Sequence, residues 1–308
     1  MSESSTPSTG ESNGDDDVLL ATFGMSRTLV LQWTAVSTLG FVVGLAGFLI
    51  FYYGVTGDTT ATELTLGLGF EGVWWWSLAL SFLAFLALIA LVILPHEFCH
   101  GIAIRAFGGE PRYGLGVAYF LFPYAFATTE TRLTRNQFIV VALTPLVVLT
   151  VLGVPLMLLF ELPWLAIPLA MNVGGAVGDV WMSLLLLSYP AGVTVLDRET
   201  GVEVYGPPET ERWETAPATV VWDALVGFTG GVIITAVVVG LLVPLVLSAI
   251  GVGALTVGIP DSPVFLFEFA RTNGGVEFSA GSGILVVGAA IGLLYAYARA
   301  QRRRGGTE

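Results

Sequence analysis

Six long apolar runs constrain this chain more than any other feature of its sequence. A helix needs about 20 apolar residues to cross the roughly 30 Å hydrocarbon core of a bilayer. The chain is 55% hydrophobic and only 12% charged, whereas soluble domains are about 25% charged. The sequence therefore predicts an all-α polytopic membrane protein, with six transmembrane helices near residues 29–53, 74–94, 138–160, 164–188, 222–250 and 281–298.

The basic residues give an independent test of this count, because all twelve are arginine. If the first helix enters the membrane from the cytoplasm, only Arg271 lies on the outer side of the membrane. Positive residues concentrate on the cytoplasmic side of membrane proteins, so we predict a multi-pass protein of the cell membrane with both termini cytoplasmic. The eleven arginines assigned to the inside are Arg27, Arg105, Arg112, Arg132, Arg135, Arg198, Arg212, Arg299, Arg302, Arg303 and Arg304.

The charged segments outside these runs are mostly acidic, and the net charge is −12. Residues 1–25 are predicted to form a disordered acidic cytoplasmic tail, because their first part is polar and has little apolar surface to bury. Acidity without lysine fits a halophilic protein in a high-salt cytoplasm, although a GC-rich genome also replaces lysine by arginine. The acidity argues against a nucleic-acid partner. The apolar spans predict the lipid bilayer and a membrane-anchored protein substrate as partners.

The only two histidines of the chain lie in the run His96-Glu97-Phe98-Cys99-His100. Histidines four residues apart share one face of a helix and can bind one metal ion. In this H-E-x-x-H pattern the histidines hold Zn²⁺ and the glutamate acts as general base. The alternative is a pair of histidines that only hydrogen-bond within a helical bundle, but polar groups are costly in such an apolar run.

A catalytic zinc usually has three protein ligands and an open position, so a third ligand is needed. Asp179 is the strongest candidate, because an ionisable residue deep in a span is a functional-site hypothesis by default. It lies about 16 Å from the inner boundary and His96 about 13 Å, at 1.5 Å per residue. Glu161 and Asp223 match this depth less well.

Three further residues could contribute to the metal site or its surroundings. Cys99 is the single cysteine, and its different direction on the helix favours packing over metal ligation. Asn172, on nearly the same helix face as Asp179, either binds a substrate carbonyl, orients a ligand or makes an interhelical hydrogen bond. Pro95 removes a backbone hydrogen bond beside His96, which favours a hydrated cavity near the metal. The small residues around Asn172 predict close approach of another helix.

The sequence from Pro95 to Gly101, with Asn172 and Gly178-Asp179 two spans later, resembles intramembrane metalloproteases of the site-2 protease type. It is more similar to a family of membrane zincin peptidases, over roughly residues 74–190. The resemblance implies one zinc ion held by His96, His100 and Asp179, with Glu97 as the base. Site-2 proteases place the aspartate in a Leu-Asp-Gly setting after an Asn-Pro element, which this chain lacks.

Two further segments predict short β-hairpin or re-entrant elements on the cytoplasmic side. Residues 113–129 are aromatic but interrupted by glycine and proline, as in a substrate-pairing hairpin or an interfacial aromatic anchor. Residues 192–205 alternate as a hairpin with a glycine turn. We divide the membrane domain, 26–308, into a catalytic core (74–190), a cytoplasmic hairpin insertion (191–221) and a C-terminal helix pair (222–300).

These observations favour an intramembrane zinc metalloprotease that hydrolyses peptide bonds of membrane-anchored protein substrates. The first alternative is a catalytically inactive metal-binding membrane sensor or scaffold. Transport of a metal or small solute is weaker, because the spans hold few polar groups along a path.

Overall fold

The computed structural model describes residues 17–57, 75–118, 122–198, 201–213, 216–272 and 275–305. It is mostly helical and contains six helices long and apolar enough to cross a membrane, which confirms the predicted fold class. Trp74 and residues 1–16 of the predicted tail lie outside the described residues. The helices are α1 (Arg27–Thr56), α2 (Trp75–Ala106), α3 (Arg135–Leu159), α4 (Ala166–Gly175), α5 (Val177–Leu186), α6 (Pro217–Val237), α7 (Val243–Ala249) and α8 (Gly283–Gly305).

Two of the six spans are interrupted helices. A π-helical turn over Val238–Leu242 joins α6 to α7, and such turns are tolerated inside long helices. The fourth span divides into α4 and α5 at Ala176, an interruption that the apolar pattern does not indicate. It separates Asn172 from Asp179, which lie on opposite sides of the break.

The strands form three small antiparallel sheets. The first has the order β1-β6-β5-β4, the second is the hairpin β2-β3, and the third is β7-β8-β9. Their bounds are β1 (Val18–Gly24), β2 (Arg112–Ala118), β3 (Phe122–Thr128), β4 (Leu133–Thr134), β5 (Thr194–Arg198), β6 (Gly201–Gly206), β7 (Ala254–Val257), β8 (Phe267–Thr272) and β9 (Gly275–Ala280).

Both predicted hairpins are present. The β2-β3 pair runs from Arg112 opposite Thr128 to Ala118 opposite Phe122, and β5-β6 ends with Arg198 opposite Gly201. The residues between the paired strands, 119–121 and 199–200, lie outside the described part. The third sheet, between the last two spans, was not predicted.

Strand β1 corrects the extent predicted for the acidic tail. Val18–Gly24 falls within residues 1–25, but it pairs with β6 from Val18 opposite Gly206 to Gly24 opposite Gly201. The segment VLLATFG is apolar and partly β-branched, a composition that fits a sheet edge once a partner is available. The partner is about 180 residues further along the chain, so local sequence alone does not reveal the pairing.

A buried cluster connects the first sheet to the helices that carry the motif. It joins the ends of α2 and α5 and the start of α3 to the inner faces of β4, β5 and β6. This packing fixes the sheet at the membrane face where α2 and α5 end. The cluster comprises Ala103, Ile104, Leu133, Phe138, Val141, Ala142, Leu186, Tyr189, Val193, Val195, Val202 and Val204.

The predicted close helix contact is formed by α1 against α4. A Cβ atom built on Gly174 would lie 2.9 Å from the Ser37 carbonyl oxygen, and one built on Gly44 would lie 3.5 Å from the Ala170 Cα atom. Small residues allow this approach of two backbones. The contact holds α4, and with it Asn172, against the first span.

Candidate metal centre

The two histidines of the motif meet Asp179 at the centre of the helical bundle. Helix α2 continues through Pro95 to Ala106 and presents both imidazoles to α5. His96 Nε2 lies 3.2 Å from Asp179 Oδ2, and His100 Nε2 lies 3.6 Å from Asp179 Oδ1. All three residues are buried, with 8 to 9% of their surface exposed. The structure thus brings together the three residues that the sequence analysis proposed as ligands.

The opposite nitrogen of each imidazole is held by a separate acceptor. His96 Nδ1 lies 2.9 Å from Asn172 Oδ1, and His100 Nδ1 lies 2.9 Å from the Val141 carbonyl oxygen. The Asn172 amide nitrogen donates to the Pro145 carbonyl oxygen at 3.4 Å, which assigns Oδ1 to the histidine side. Such partners orient metal-binding histidines in known sites.

The Val141 carbonyl is available because of Pro145. In a continuous α-helix this carbonyl would accept the N–H of the residue four positions later. That residue is Pro145, which has no N–H. A proline in the third span therefore frees the acceptor that orients His100.

The resulting protonation pattern fits a bound cation. A carbonyl oxygen can only accept, so His100 carries its proton on Nδ1 and, when neutral, presents a lone pair at Nε2. This lone pair faces an oxygen of Asp179, and a cation bound between the two atoms would offset the repulsion of their electron pairs. Tetrahedral bonds of about 2.0–2.1 Å separate ligand atoms by roughly 3.3 Å, close to the observed 3.2 and 3.6 Å.

Glu97 lies beside these ligands. The structure groups His96, Glu97 and His100, whose ligand atoms all lie within 4.8 Å of one another. The main-chain amide of Ala127 on β3 faces the Glu97 carboxylate. Glu97 is therefore positioned between the metal ligands and the β2-β3 hairpin, where a general base for an adjacent water is required.

A cavity of about 510 Å³ opens in front of these groups. His96, Glu97, His100 and Asp179 line it together with Phe126 of β3. The remaining wall comes largely from α1, α3 and the hairpin β5-β6. Its volume falls within the range of small-molecule and peptide side-chain pockets.

Glycine at position 101 lets the β2-β3 hairpin approach this part of α2. A Cβ atom built on Gly101 would overlap the ring and hydroxyl of Tyr113. The position directly follows His100 in the motif, so a larger residue here would require the Tyr113 ring to move away from α2.

Asp197 on β5 also lines the cavity, and the sequence analysis did not identify it. Burial, followed by the nearby charge of Asp179, raises the pKa of Asp197 to about 7. The Thr128 hydroxyl donates to the Asp197 carbonyl oxygen at 3.1 Å, which joins β5 to β3. The sequence gives no signal for Asp197, because an aspartate in a hairpin is common and only the fold places this one at the cavity.

The neighbouring arginine does not neutralise Asp197. Arg198 Nε and Nη2 donate to Glu203 Oε2 at 3.1 and 2.9 Å. Among the described residues, no ion pair involves Asp197.

The other acidic and sulfur-containing candidates have different surroundings. Cys99 is buried in the structure. Glu161 is exposed in the turn between α3 and α4. Asp223 forms ion pairs with Arg303 at 2.7 Å and Arg299 at 3.8 Å. Asp179 is thus the acidic residue of the spans that reaches the histidines.

The fold and the site define a multi-pass helical protein with an H-E-x-x-H metal-binding group. Residues 88–194 match the model of a family described as "Putative zincin peptidase". The matched segment begins within α2 and ends at the start of β5, so it includes the motif, Asn172 and Asp179 but not Asp197. The chain therefore contains a segment similar to putative zincin peptidases, and this segment includes the H-E-x-x-H group. No curated protein and no solved structure gives a significant match.

Proposed function

We propose that the protein is an intramembrane zinc peptidase of the site-2 protease type, acting on membrane-anchored protein segments. His96, His100 and Asp179 would hold the ion. The observation that carries this proposal is the convergence of two imidazole nitrogens and one carboxylate on a single point, beside a glutamate. Zinc, when bound, supplies a Lewis acid and lowers the pKa of a coordinated water.

The chain's own residues account for proton movement. Glu97 accepts a proton from the attacking water, whose oxygen forms a bond to the peptide carbonyl carbon. Glu97 then returns this proton to the leaving amine as the C–N bond breaks. Its half-buried position beside the histidines suits both transfers.

The depth of the site favours a substrate within the membrane. Asp179 lies seven residues before the end of α5 and His96 ten before the end of α2, or about 10 and 15 Å at 1.5 Å per residue. Soluble proteins do not reach this depth easily, whereas a membrane-anchored segment lies there already. Helical peptide bonds are shielded by hydrogen bonds, so the segment must unwind before cleavage.

The β2-β3 hairpin offers a surface for such an unwound segment. It is a two-stranded sheet among the described residues, and Ala127 of β3 directs its amide to Glu97. Addition of a substrate strand would satisfy backbone groups that find no water in a bilayer. An interfacial anchor made by the hairpin's aromatic residues is the simpler role for the same segment.

The test combines metal content with turnover in purified, detergent-solubilised protein. We expect about one zinc per chain in the wild type and in Glu97→Gln, and loss of zinc in His96→Ala and Asp179→Ala. Cleavage of single-span model substrates carrying glycine or proline in the span should disappear in all three variants. If the His96→Ala and Asp179→Ala variants bind as much zinc as the wild type, the proposed metal site is wrong.

Turnover separates the proposal from its main rival. A metal-binding sensor or scaffold would be indicated by two results together. The wild type would bind zinc but cleave no member of a substrate panel, and the Glu97→Gln variant would retain biological function. Cleavage by wild type that persists in Glu97→Gln would contradict the assigned base.

A further inference from the structure

Asp197 occupies a position of the first sheet that packing alone would give to an apolar residue. Side chains alternate along a strand, so Asp197 lies on the same side of β5 as Val195, which is fully buried in the cluster against the helices. Across the hairpin, Val195 pairs with Val204 and Asp197 pairs with Val202, and both valines belong to this cluster. A carboxylate in such a row costs free energy unless a partner stabilises it. The position therefore points to a binding role rather than to packing.

The row of valines ends at the cavity of the candidate metal centre, which Asp197 lines together with Glu97. Strand β3 relates the two acidic residues. The Ala127 amide faces the Glu97 carboxylate, and the hydroxyl of the next residue, Thr128, donates to the Asp197 carbonyl oxygen. Consecutive residues are about 3.8 Å apart, so a peptide bound beside Glu97 can direct a nearby side chain to Asp197.

The charge of Asp197 lacks a cationic partner within the described part of the chain. None of the ion pairs there involves it, and the adjacent Arg198 donates to Glu203 instead. Burial and the charge of Asp179 raise the pKa of Asp197 to about 7, the direction expected for a carboxylate without a counter-charge. A cation that enters the cavity would supply this charge.

The basic flank of a membrane span is the cation that this location favours. Asp197 belongs to the sheet that packs against the ends of the helices, whereas Asp179 and His96 lie about 10 and 15 Å before the ends of α5 and α2. This face is predicted to be cytoplasmic, and arginine and lysine concentrate at the cytoplasmic ends of membrane spans. A span that reaches the metal ligands would therefore bring its basic flank to the sheet.

We propose that Asp197 binds the side chain of an arginine or lysine that lies on the cytoplasmic flank of the substrate span. This inference rests on the proposed peptidase function and names its substrate class, membrane-anchored segments with a basic residue near the bond that is cleaved. Asp197 selects the substrate and takes no part in bond cleavage.

Binding of synthetic single-span peptides to the full-length Glu97→Gln variant in detergent tests the inference without turnover. The peptides carry one arginine at successive positions of the cytoplasmic flank, and each is compared with a peptide that carries citrulline, its uncharged isostere, at the same position. Measurements at pH 8 keep Asp197 ionised. At one position we expect arginine to bind about tenfold more tightly than citrulline, as expected for a charge-assisted hydrogen bond.

Variants of Asp197 in the same background assign this preference. Asp197→Asn should bind the two peptides with similar affinity, whereas Asp197→Glu, which keeps the charge, should still prefer arginine. Glu130→Gln is the matched control, because Glu130 is exposed and pairs with Arg112, and its preference for arginine should equal that of the parent. Zinc content of each variant verifies that the site is folded.

The outcomes separate this inference from the proposed function. Preferential binding of arginine through Asp197, without cleavage by the wild type, would support the inference and contradict the peptidase. Cleavage of both peptides with equal kcat/KM and equal binding at every position would overturn the inference and leave the peptidase standing. A second zinc ion per chain that is lost in Asp197→Asn would also overturn it, because the carboxylate would then be a metal ligand.

Discussion

Each imidazole of the metal centre has one nitrogen committed to a fixed acceptor and the other directed to Asp179. The acceptors are Asn172 Oδ1 for His96 and the Val141 carbonyl for His100. These bonds select the tautomer that binds metal through Nε2. We therefore expect metal affinity at this site to depend on residues that do not touch the ion.

Asn172→Ala tests this dependence at a single residue. Removal of Oδ1 frees the His96 ring to rotate, and loss of such a partner typically lowers metal affinity 10- to 100-fold. Competition with a chelator of known zinc affinity measures the change. Ser183→Ala is the matched control, because Ser183 is also buried nearby on α5 but its hydroxyl has no partner among the described residues. Equal zinc affinity of the two variants would rule out a positioning role for Asn172.

Asp197 should make the stability of the protein depend on pH. Its pKa is about 7 in the folded state and about 3.9 when unfolded, so between these values only the native state binds the proton. Native stability therefore falls as the pH rises through this window. Asp197→Asn removes the effect, and we expect its melting temperature to exceed that of the wild type by about 3 °C or more at pH 8.

The comparison at pH 8 needs two controls. At pH 4 the two proteins should melt at similar temperatures, because Asp197 is then protonated in the wild type. Glu130→Gln, at an exposed position, should show no comparable gain at pH 8. The gain from Asp197→Asn should shrink when zinc is bound, because the cation opposes the charges of Asp179 and Glu97. A wild type that is more stable at pH 8 than Asp197→Asn would contradict the raised pKa.

At the scale of elements, irregular helices build the site. Pro145 frees a carbonyl in α3, and the interruption at Ala176 separates the Asn172 and Asp179 segments. Breaks of this kind persist in membrane helices only where protein or water satisfies the released backbone groups. Here one released carbonyl becomes a ligand-orienting acceptor.

Pro145→Ala should weaken metal binding although residue 145 does not reach the ion. The new N–H at position 145 would bond to the Val141 carbonyl and compete with His100 Nδ1. We expect zinc affinity to fall about tenfold, at the lower end of effects of this kind, while the melting temperature is unchanged or higher. Pro155→Ala is the control, because it acts on the carbonyl of Val151, which is 62% exposed. An equal loss of affinity in both variants would indicate a general effect on α3.

At the scale of the whole molecule, the first sheet and the β2-β3 hairpin lie at the membrane face where α2 and α5 end. The cavity of the candidate metal centre is bounded by both, so it lies between the bundle and these strands.

This arrangement predicts the orientation of the chain in the cell membrane. Eleven of the twelve arginines lie on one face if six spans alternate, and the positive-inside rule assigns that face to the cytoplasm. Green fluorescent protein fused to either terminus should fluoresce, and alkaline phosphatase at either terminus should be inactive. Alkaline phosphatase inserted near Arg271 should be active. Phosphatase activity at the termini would reverse the assigned orientation.

The sequence by itself determined the class of the protein and the chemistry of its centre. Apolar length predicts membrane spans because a bilayer requires them, and the spacing of His96 and His100 on a helix brings both imidazoles to one face. Because charged residues are scarce within the spans, the sequence alone pointed to Asp179 as the candidate third ligand. The two hairpins were also predictable, because their alternation and turn residues are local features.

Only the tertiary structure decided which distant residues complete the site. The pairing of β1 with β6, the bond from Val141 to His100 and the position of Asp197 over the cavity all join segments far apart in the chain. No local pattern encodes these contacts, since each depends on how helices and sheets pack against one another. Pro145 shows the difference, because a proline within a helix leaves the carbonyl four residues earlier without its N–H partner, but only packing brings His100 to that carbonyl.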